Sequence, residues 1–313
     1  MINQIKTLYE LTRAYALPMS IFSWLVAFCY AATLGGNTKY GMLALLGICF
    51  AHLGTNVLDD YIDYFRIKNS NFDDEEDNIE KGKCRLLLTG AVTERTALNI
   101  ALVLFVIALM FGVFFTIKIG YGVLLFMGLA GLLAVLYPVL GRYRLCEIAL
   151  CLIYGPILFG GICYVMTGQY DWKTIIVCLP TMFMTLNMLY TDTLMDYDFD
   201  KKIGKKTIAN MFETKWKSLD FHKILLAIAY LSVSLTYVLD IADWEVFVSF
   251  GTIPMASNLL DAMKIYIVDS QKYDFDDISF ESNTFMVRMS QAKNLMICFS
   301  LMFAIALLFK IST

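Results

Sequence analysis

Apolar runs of about spanning length recur along the whole chain, separated by short polar stretches. They extend from Leu17 to Leu34, Tyr40 to Leu58, Ala97 to Ile117, Gly120 to Leu140, Leu145 to Met166, Ile175 to Leu194, Ile224 to Leu239, Trp244 to Ile267 and Leu295 to Ile311. At 1.5 Å rise per residue, about 20 residues cross the hydrocarbon layer as an α-helix. The runs are too long for barrel strands, and in lipid every backbone amide must find its partner within its own segment. The pattern therefore predicts an all-α integral membrane protein with nine transmembrane helices around a central cavity. Composition agrees: 58% of the residues are hydrophobic, 17% are charged and the mean hydropathy is +0.63, too apolar for a soluble globule.

The basic residues set an orientation. With the N-terminus in the cytoplasm, only Lys39, Lys118, Lys173 and Lys310 of the 25 lysines and arginines fall on the far side. That asymmetry predicts an odd number of spans with the N-terminus and the larger loops inside, as expected in a prokaryotic plasma membrane. Neither a cleavage pattern after the first span nor an Arg- and Ser-rich start suggests a removed targeting peptide. Seven of the eight cysteines lie in or at the edge of the spans, where they read as small buried hydrophobes. Cys84 alone falls in a loop, on the cytoplasmic side, where a thiol reagent is expected to reach it.

The chemistry concentrates at two helix ends. The second span closes in Asn56-Val57-Leu58-Asp59-Asp60-Tyr61-Ile62-Asp63, and Asn56, Asp60 and Asp63 at i, i+4 and i+7 share one helix face. Asp59, about 100° round the helix from Asp60, is free to face either way. The sixth span closes in Asp192-Thr193-Leu194-Met195-Asp196-Tyr197-Asp198-Phe199-Asp200, where Asp192, Asp196 and Asp200 make a second carboxylate stripe. Both spans are even-numbered, so both stripes end on the cytoplasmic side. Four spans separate them, which suggests two pseudo-repeated four-helix halves plus one helix, each half giving one acidic end to the cavity. Two such stripes call for positive charge between them. Hard oxygen donors without His or Cys suit Mg2+, which usually completes its shell with water and substrate phosphates. The remaining ligand is then a diphosphate. Basic residues follow each stripe: Lys81, Lys83 and Arg85 after the first, and Lys201, Lys202, Lys205 and Lys206 after the second. Gly204-Lys205-Lys206-Thr207 is not a P-loop, because the Gly-rich half and the preceding strand are absent.

These residues resemble the UbiA superfamily of polyprenyl transferases, whose signatures are Asn-x-x-x-Asp-x-x-Asp and a later Asp-x-x-x-Asp. Asn56, Asp60 and Asp63 match the first; Asp196 and Asp200 match the second. Asp60 to Tyr64, Arg85 with Gly90, Leu145-Cys146-Glu147 with Gly155-Pro156, Gly161, Tyr164 and Gly168, and Asp200 to Thr207 look like the menaquinone-pathway branch, which prenylates dihydroxynaphthoate. Two features depart from it: Asp192-Thr193 and Met195 where the branch commonly has Asn-Asn and Arg, and an acidic insertion, Asp73 to Asp77, before Arg85.

The resemblance covers about residues 10 to 300, so all of 1–313 reads as one transmembrane prenyltransferase domain. It implies that Asp60, Asp63, Asp196 and Asp200 hold Mg2+ and that Asp192 joins them in catalysis. It also implies that Arg85, Lys202, Lys205 and Tyr164 contact substrate and that Asn56 orients the ligands. The partners implied are a prenyl diphosphate, a small aromatic acceptor and the lipid bilayer, with no nucleic acid. A terpene cyclase would show the same aspartates, and intramembrane carboxylates also mark ion transporters, although transporter sites lie nearer the midplane. His52, within the second span, reads as a satisfied intramembrane histidine.

Overall fold

A computed structural model describes residues 2–69, 84–202, 204–269 and 278–310. Among the described residues every regular element is helical, and nine segments are long and apolar enough to cross a membrane. An N-terminal helix, α1 (Ile2–Leu11), precedes the first span, α2 (Pro18–Thr33); Pro18 stands in the first turn, where its missing amide costs nothing. Then come α3 (Thr38–Asn69), a single turn α4 (Arg85–Leu88), α5 (Glu94–Ile119) and α6 (Gly122–Leu140). The fifth span is α7 (Cys146–Leu152), a π-helical turn (Ile153–Ile157) and α8 (Leu158–Thr167). The chain continues through α9 (Thr174–Met195), the short α10 (Tyr197–Lys202), α11 (Lys215–Val238), a 3-10 segment (Trp244–Thr252) running into α12 (Ile253–Asp269), and α13 (Ile278–Phe309).

Local chemistry accounts for where several helices start and bend. The Thr93 hydroxyl accepts the Thr96 amide at the head of α5, and Thr214 does the same for Lys217 at the head of α11. Because of that cap α11 begins nine residues before the apolar run Ile224 to Leu239. Its first turns are polar and invisible to a hydropathy reading. Pro156 lacks an amide, and Gly155 beside it leaves helical dihedrals at φ −101 and ψ −113, so the fifth span kinks at its π turn. The largest departure from the expected boundaries is α3. Its 32 residues make it about 48 Å long, so it runs well past the apolar stretch ending at Leu58, and the first carboxylate stripe rides on a continuous helix.

Two apolar clusters hold the bundle. The larger joins α2, α9, α11 and α13 through Val26, Tyr190, Leu219, Leu295, Phe299 and Phe303, all almost fully buried. The smaller, with Leu11, Val57, Leu87, Val92, Ala97 and Ala101, fastens α1 and α4 onto α3 and α5. It therefore fixes the N-terminal segment beside the first acidic stripe.

Candidate active site

A cavity of about 1730 Å3 opens between α2, α3, α5, α6, the kinked fifth span and α9. That exceeds the roughly 300–1,000 Å3 of ordinary small-molecule pockets and leaves room for a long chain beside a second molecule. Its wall is graded. Along α3 it passes from Ala44, Gly47, Ile48 and Ala51 through His52, Thr55 and Asn56 to Asp59 and Asp63. Along α9 it passes from Met188 and Leu189 to Asp192 and Asp196. The two helices thus turn acidic toward the same end.

On α3 the cavity face is Asn56, Asp59 and Asp63 rather than Asn56, Asp60 and Asp63. Residues i+3 and i+4 lie on either side of the line joining i and i+7, so helix geometry admits either arrangement. A distant residue decides. Arg13, held in the left-handed region at φ +46 by the chain's turn out of α1, pairs its guanidinium with Asp60 and keeps Nη1 3.6 Å from Asp59. Burial alone would lower the pKa of Arg13, but Asp60 and Asp59 hold it well above the ordinary arginine value. Asp60 is 7% exposed and is not among the cavity-lining residues. Asp63 is held by Arg66 one turn on, and Arg66 Nη2 donates to the Pro138 carbonyl at 2.8 Å, tying α3 to α6. Asn56 Nδ2 donates to the Thr12 carbonyl at 3.0 Å.

Cys84 corrects another expectation. It is 2% exposed, and its thiol donates to the Asp60 carbonyl at 3.2 Å, so it is a packed residue rather than an accessible loop thiol. Burial pushes the thiol up, so it stays protonated near neutral pH.

The second stripe crosses a helix break. α9 ends at Met195, Asp196 caps it at φ −82 and ψ 8, and α10 restarts at Tyr197. The Asp196 amide still donates to the Asp192 carbonyl at 3.0 Å and the Asp200 amide to the Asp196 carbonyl at 2.8 Å, so the three acids keep helical spacing and all line the cavity. Asp198 lines it too and pairs with Lys215 at 2.7 Å. Beyond α10, Gly204 at φ +71 turns the chain through a conformation that favours glycine. The segment that follows is pinned on several sides. The Lys205 amide donates to the Asp200 carbonyl at 2.8 Å and the Lys206 amide to the Gly141 carbonyl at 2.7 Å. Asn210 Nδ2 donates to the Lys205 carbonyl at 2.8 Å, and the Ile208 amide to Glu147 Oε1 at 2.7 Å. Glu147 is itself fully buried, with the Cys146 thiol on its second oxygen at 2.9 Å.

This pinning delivers Lys205 to the cavity between the stripes. Burial alone would lower the pKa of its ammonium; Asp200, Asp63 and Asp59 instead hold it above the ordinary lysine value. One cation is therefore surrounded by carboxylates of both helix ends. Among the described residues no three His, Cys, Asp or Glu side chains converge closely enough to hold a metal unaided. The donor set, carboxylates alone with a demand for positive charge between them, fits a hard divalent cation that shares its shell with a substrate anion rather than a closed protein cage.

Of the residues singled out in the sequence, Asn56, Asp63, Arg85, Asp192, Asp196, Asp200 and Lys205 line this one cavity. Tyr164 does not. Its ring packs 6.1 Å from that of Phe126 and against Gly122, and it lies 17 residues, about 25 Å along the span, from Glu147 at the acidic end. The side chain of Lys202, together with Lys81, Lys83 and the acidic stretch Asp73 to Asp77, falls outside the described residues. Sequence reasoning left the facing of Asp59 open and missed Arg13 and Lys293, all of which line the cavity. The doubled acid Asp59-Asp60 carried a signal for the first; the other two enter through contacts between distant segments.

Comparison with known proteins bears on this arrangement. A 1,4-dihydroxy-2-naphthoate octaprenyltransferase of Haemophilus influenzae is 27% identical over 288 residues, covering 87% of this chain and 89% of that protein. A UbiA homologue from Aeropyrum pernix superposes with a TM-score of 0.64 at 15% identity, over 93% of this chain and 97% of that one. A UbiA homologue from Archaeoglobus fulgidus, solved bound to GPP and Mg2+, gives 0.60 at 16% identity, over 96% and 99%. A sequence profile of the UbiA prenyltransferase family matches residues 20–274. The nine-span helical bundle and that match over most of its length place the chain in the UbiA prenyltransferase family, as an integral membrane enzyme of the prenyl-transferring class.

Proposed function

We propose that this chain transfers an isoprenoid chain from a prenyl diphosphate to a small aromatic acceptor of the dihydroxynaphthoate type, in quinone biosynthesis of the menaquinone kind, with Mg2+ as cofactor. The observation that carries the reading is the graded cavity: carboxylates and cations interleaved at one end, and an apolar body large enough for a chain and a ring. The name of the Haemophilus relative and the ligands of the Archaeoglobus homologue support it. The positive-inside count puts the acidic mouth and the N-terminus on the cytoplasmic side, where a soluble diphosphate headgroup has access.

Asp59, Asp63, Asp192, Asp196 and Asp200 are the groups that would hold Mg2+. When bound, the ion neutralises charge developing on the departing diphosphate. Arg13, Arg85 and Lys205 line the cavity and would donate charge-assisted hydrogen bonds to diphosphate oxygens; Lys202, two residues after Asp200 in the sequence, is a further candidate. Asp60 acts through Arg13, fixing the direction of its guanidinium, and Asn56 through the Thr12 carbonyl, holding the N-terminal segment against α3. Breaking the bond from C1 to oxygen leaves positive charge on the allylic carbon. The aromatic faces of Tyr137, Phe105 and Phe111 on the cavity wall tolerate that charge, and the apolar wall keeps water from intercepting it. Catalysis is then charge stabilisation plus alignment of an electron-rich ring against C1; as the ring carbon bonds to C1, the group it carried leaves, as a proton or as CO2 from a carboxylate, and aromaticity returns.

The test is direct. Protein in nanodiscs is given labelled prenyl diphosphates of several lengths with dihydroxynaphthoate, hydroxybenzoate or no acceptor, in Mg2+ or in EDTA. Mg2+-dependent prenylated naphthoate is the expected product. A hydrocarbon formed without acceptor would replace the reading with cyclisation, and turnover persisting in EDTA would remove the metal from it.

A further inference from the structure

Midway down the apolar part of the cavity stands a polar cluster that the diphosphate chemistry does not use. His52 on α3, Ser20 on α2 and Tyr154 on the π turn all line the cavity. Ser20 Oγ lies 2.6 Å and the Tyr154 hydroxyl 3.2 Å from the same imidazole nitrogen, Nδ1. Both hydroxyl residues are buried, at 2% and 7% exposure. Two hydroxyls thus occupy one side of the ring, and Nε2, without a hydrogen-bond partner among the described residues, is left to work into the cavity as donor or acceptor according to the tautomer. A histidine needed only to tie three helices together would bury both nitrogens. This one is oriented from behind by partners on two other helices, one of them on a π turn, a feature that is frequent at functional sites, and it offers its remaining nitrogen to a space lined largely by apolar side chains.

We infer that His52 is the specificity-determining contact for the acceptor: its Nε2 hydrogen-bonds a ring hydroxyl of a phenolic substrate, with Ser20 and Tyr154 as positioning residues behind it. The inference rests on the prenyl-transfer reading for the identity of the acceptor. Register supports the placement. His52 and Asp59 are seven residues apart on α3, nearly in line on one helix face and separated by about 10 Å of rise. That is on the order of the length of a fused bicyclic ring plus the hydrogen bond that holds it. The prenyl chain, with no polar atom beyond its diphosphate, has nothing to offer His52.

The experiment compares wild type with His52→Phe, which keeps a ring but no nitrogen, and His52→Gln, which returns a polar atom near the Nε2 position. His52→Phe should raise the KM for dihydroxynaphthoate about tenfold, the worth of one hydrogen bond in this range, while the KM for prenyl diphosphate moves less than about twofold. His52→Gln should recover most of the loss, and Tyr154→Phe should cost a smaller factor, about threefold, by loosening the ring. Binding without turnover separates this proposal from the reading beneath it. In the absence of prenyl diphosphate, fluorescence titration should show wild type preferring 1,4-dihydroxy-2-naphthoate over 2-naphthoate about tenfold, a preference His52→Phe loses. If wild type prenylates no phenol yet shows this His52-dependent preference, prenyl transfer fails and the phenol contact stands. If wild type turns over while His52→Phe keeps the preference, or both KM values move together, the contact is wrong and His52 serves only to pack helices.

Discussion

The two acidic helix ends look alike in sequence and are built differently. The first rests on one element: Asp59, Asp60 and Asp63 ride on one continuous helix, and Arg13 from the N-terminal segment and Arg66 one turn along the same helix offset their charge. The second is broken at Asp196 and finished by a loop whose course depends on the buried Glu147, on Asn210 and on a glycine at positive φ. Its cation, Lys205, belongs to that loop. One wall thus comes from a long helix with borrowed charges, the other from a short helix with a pinned hinge.

The hardest test of this contrast is to remove one carboxylate from each wall. Asp59→Asn and Asp196→Asn should each cost about two orders of magnitude in turnover, and the double variant little more than either, because groups acting as a unit are not additive. Losses that multiply in the double variant would mean two independent sites. Lys205→Met comes next. Loss of the cation should lower kcat by roughly tenfold or more. It should also lower the Mg2+ concentration giving half-maximal rate, since the same carboxylates then face the metal uncompensated. A higher Mg2+ requirement would show that Lys205 does not occupy the shared electrostatic position. Smaller again is Asp60→Asn. On the proposed role, in which it holds the Arg13 guanidinium, it should cost about tenfold, mostly in the KM for prenyl diphosphate, and Arg13→Lys should resemble it. An Asp60→Asn loss equal to that of Asp59→Asn would make Asp60 a metal ligand and the Arg13 pairing a resting arrangement. The smallest effect is on Cys84. A raised thiol pKa means less thiolate at a given pH, so a maleimide at about pH 8.5, where a free cysteine is half ionised, should leave Cys84 unlabelled until the fold is opened with denaturant. Rapid native labelling would show that the packing of Cys84 against α3 is loose.

The contrast also explains what was legible in the sequence. Hydropathy located the nine spans, because a segment in lipid must be apolar throughout its length, and it failed at their polar extensions. The last three turns of α3 and the first two of α11 are helical for reasons of capping and packing that no apolar run records. Helical spacing found the stripes, since i, i+4 and i+7 are local relations. It could not choose between Asp59 and Asp60, because that choice belongs to Arg13, 46 and 47 residues away in the chain. Tyr164 was placed by likeness to a motif, and the motif carried no information on depth along the helix. His52 reads from the sequence as a satisfied intramembrane histidine, but its partners, Ser20 and Tyr154, come from two other helices and no local pattern names them.

The outer wall of the cavity has its own consequence. α5 buries only Ala97, Ala101 and Phe115, and α6 only Val123, Ala134 and Pro138, although Phe105, Ala108 and Gly112 of one and Met127, Gly131 and Ala134 of the other line the cavity. On that side the reaction chamber is a single helix thick, and its far surface is apolar and turned outward, as a face packed by acyl chains would be. Lateral pressure in the bilayer therefore acts on the chamber almost directly. A detergent micelle, which relaxes that pressure, should therefore alter the enclosure in which the ring and the allylic carbon must meet, and turnover should depend on the lipid that surrounds the enzyme.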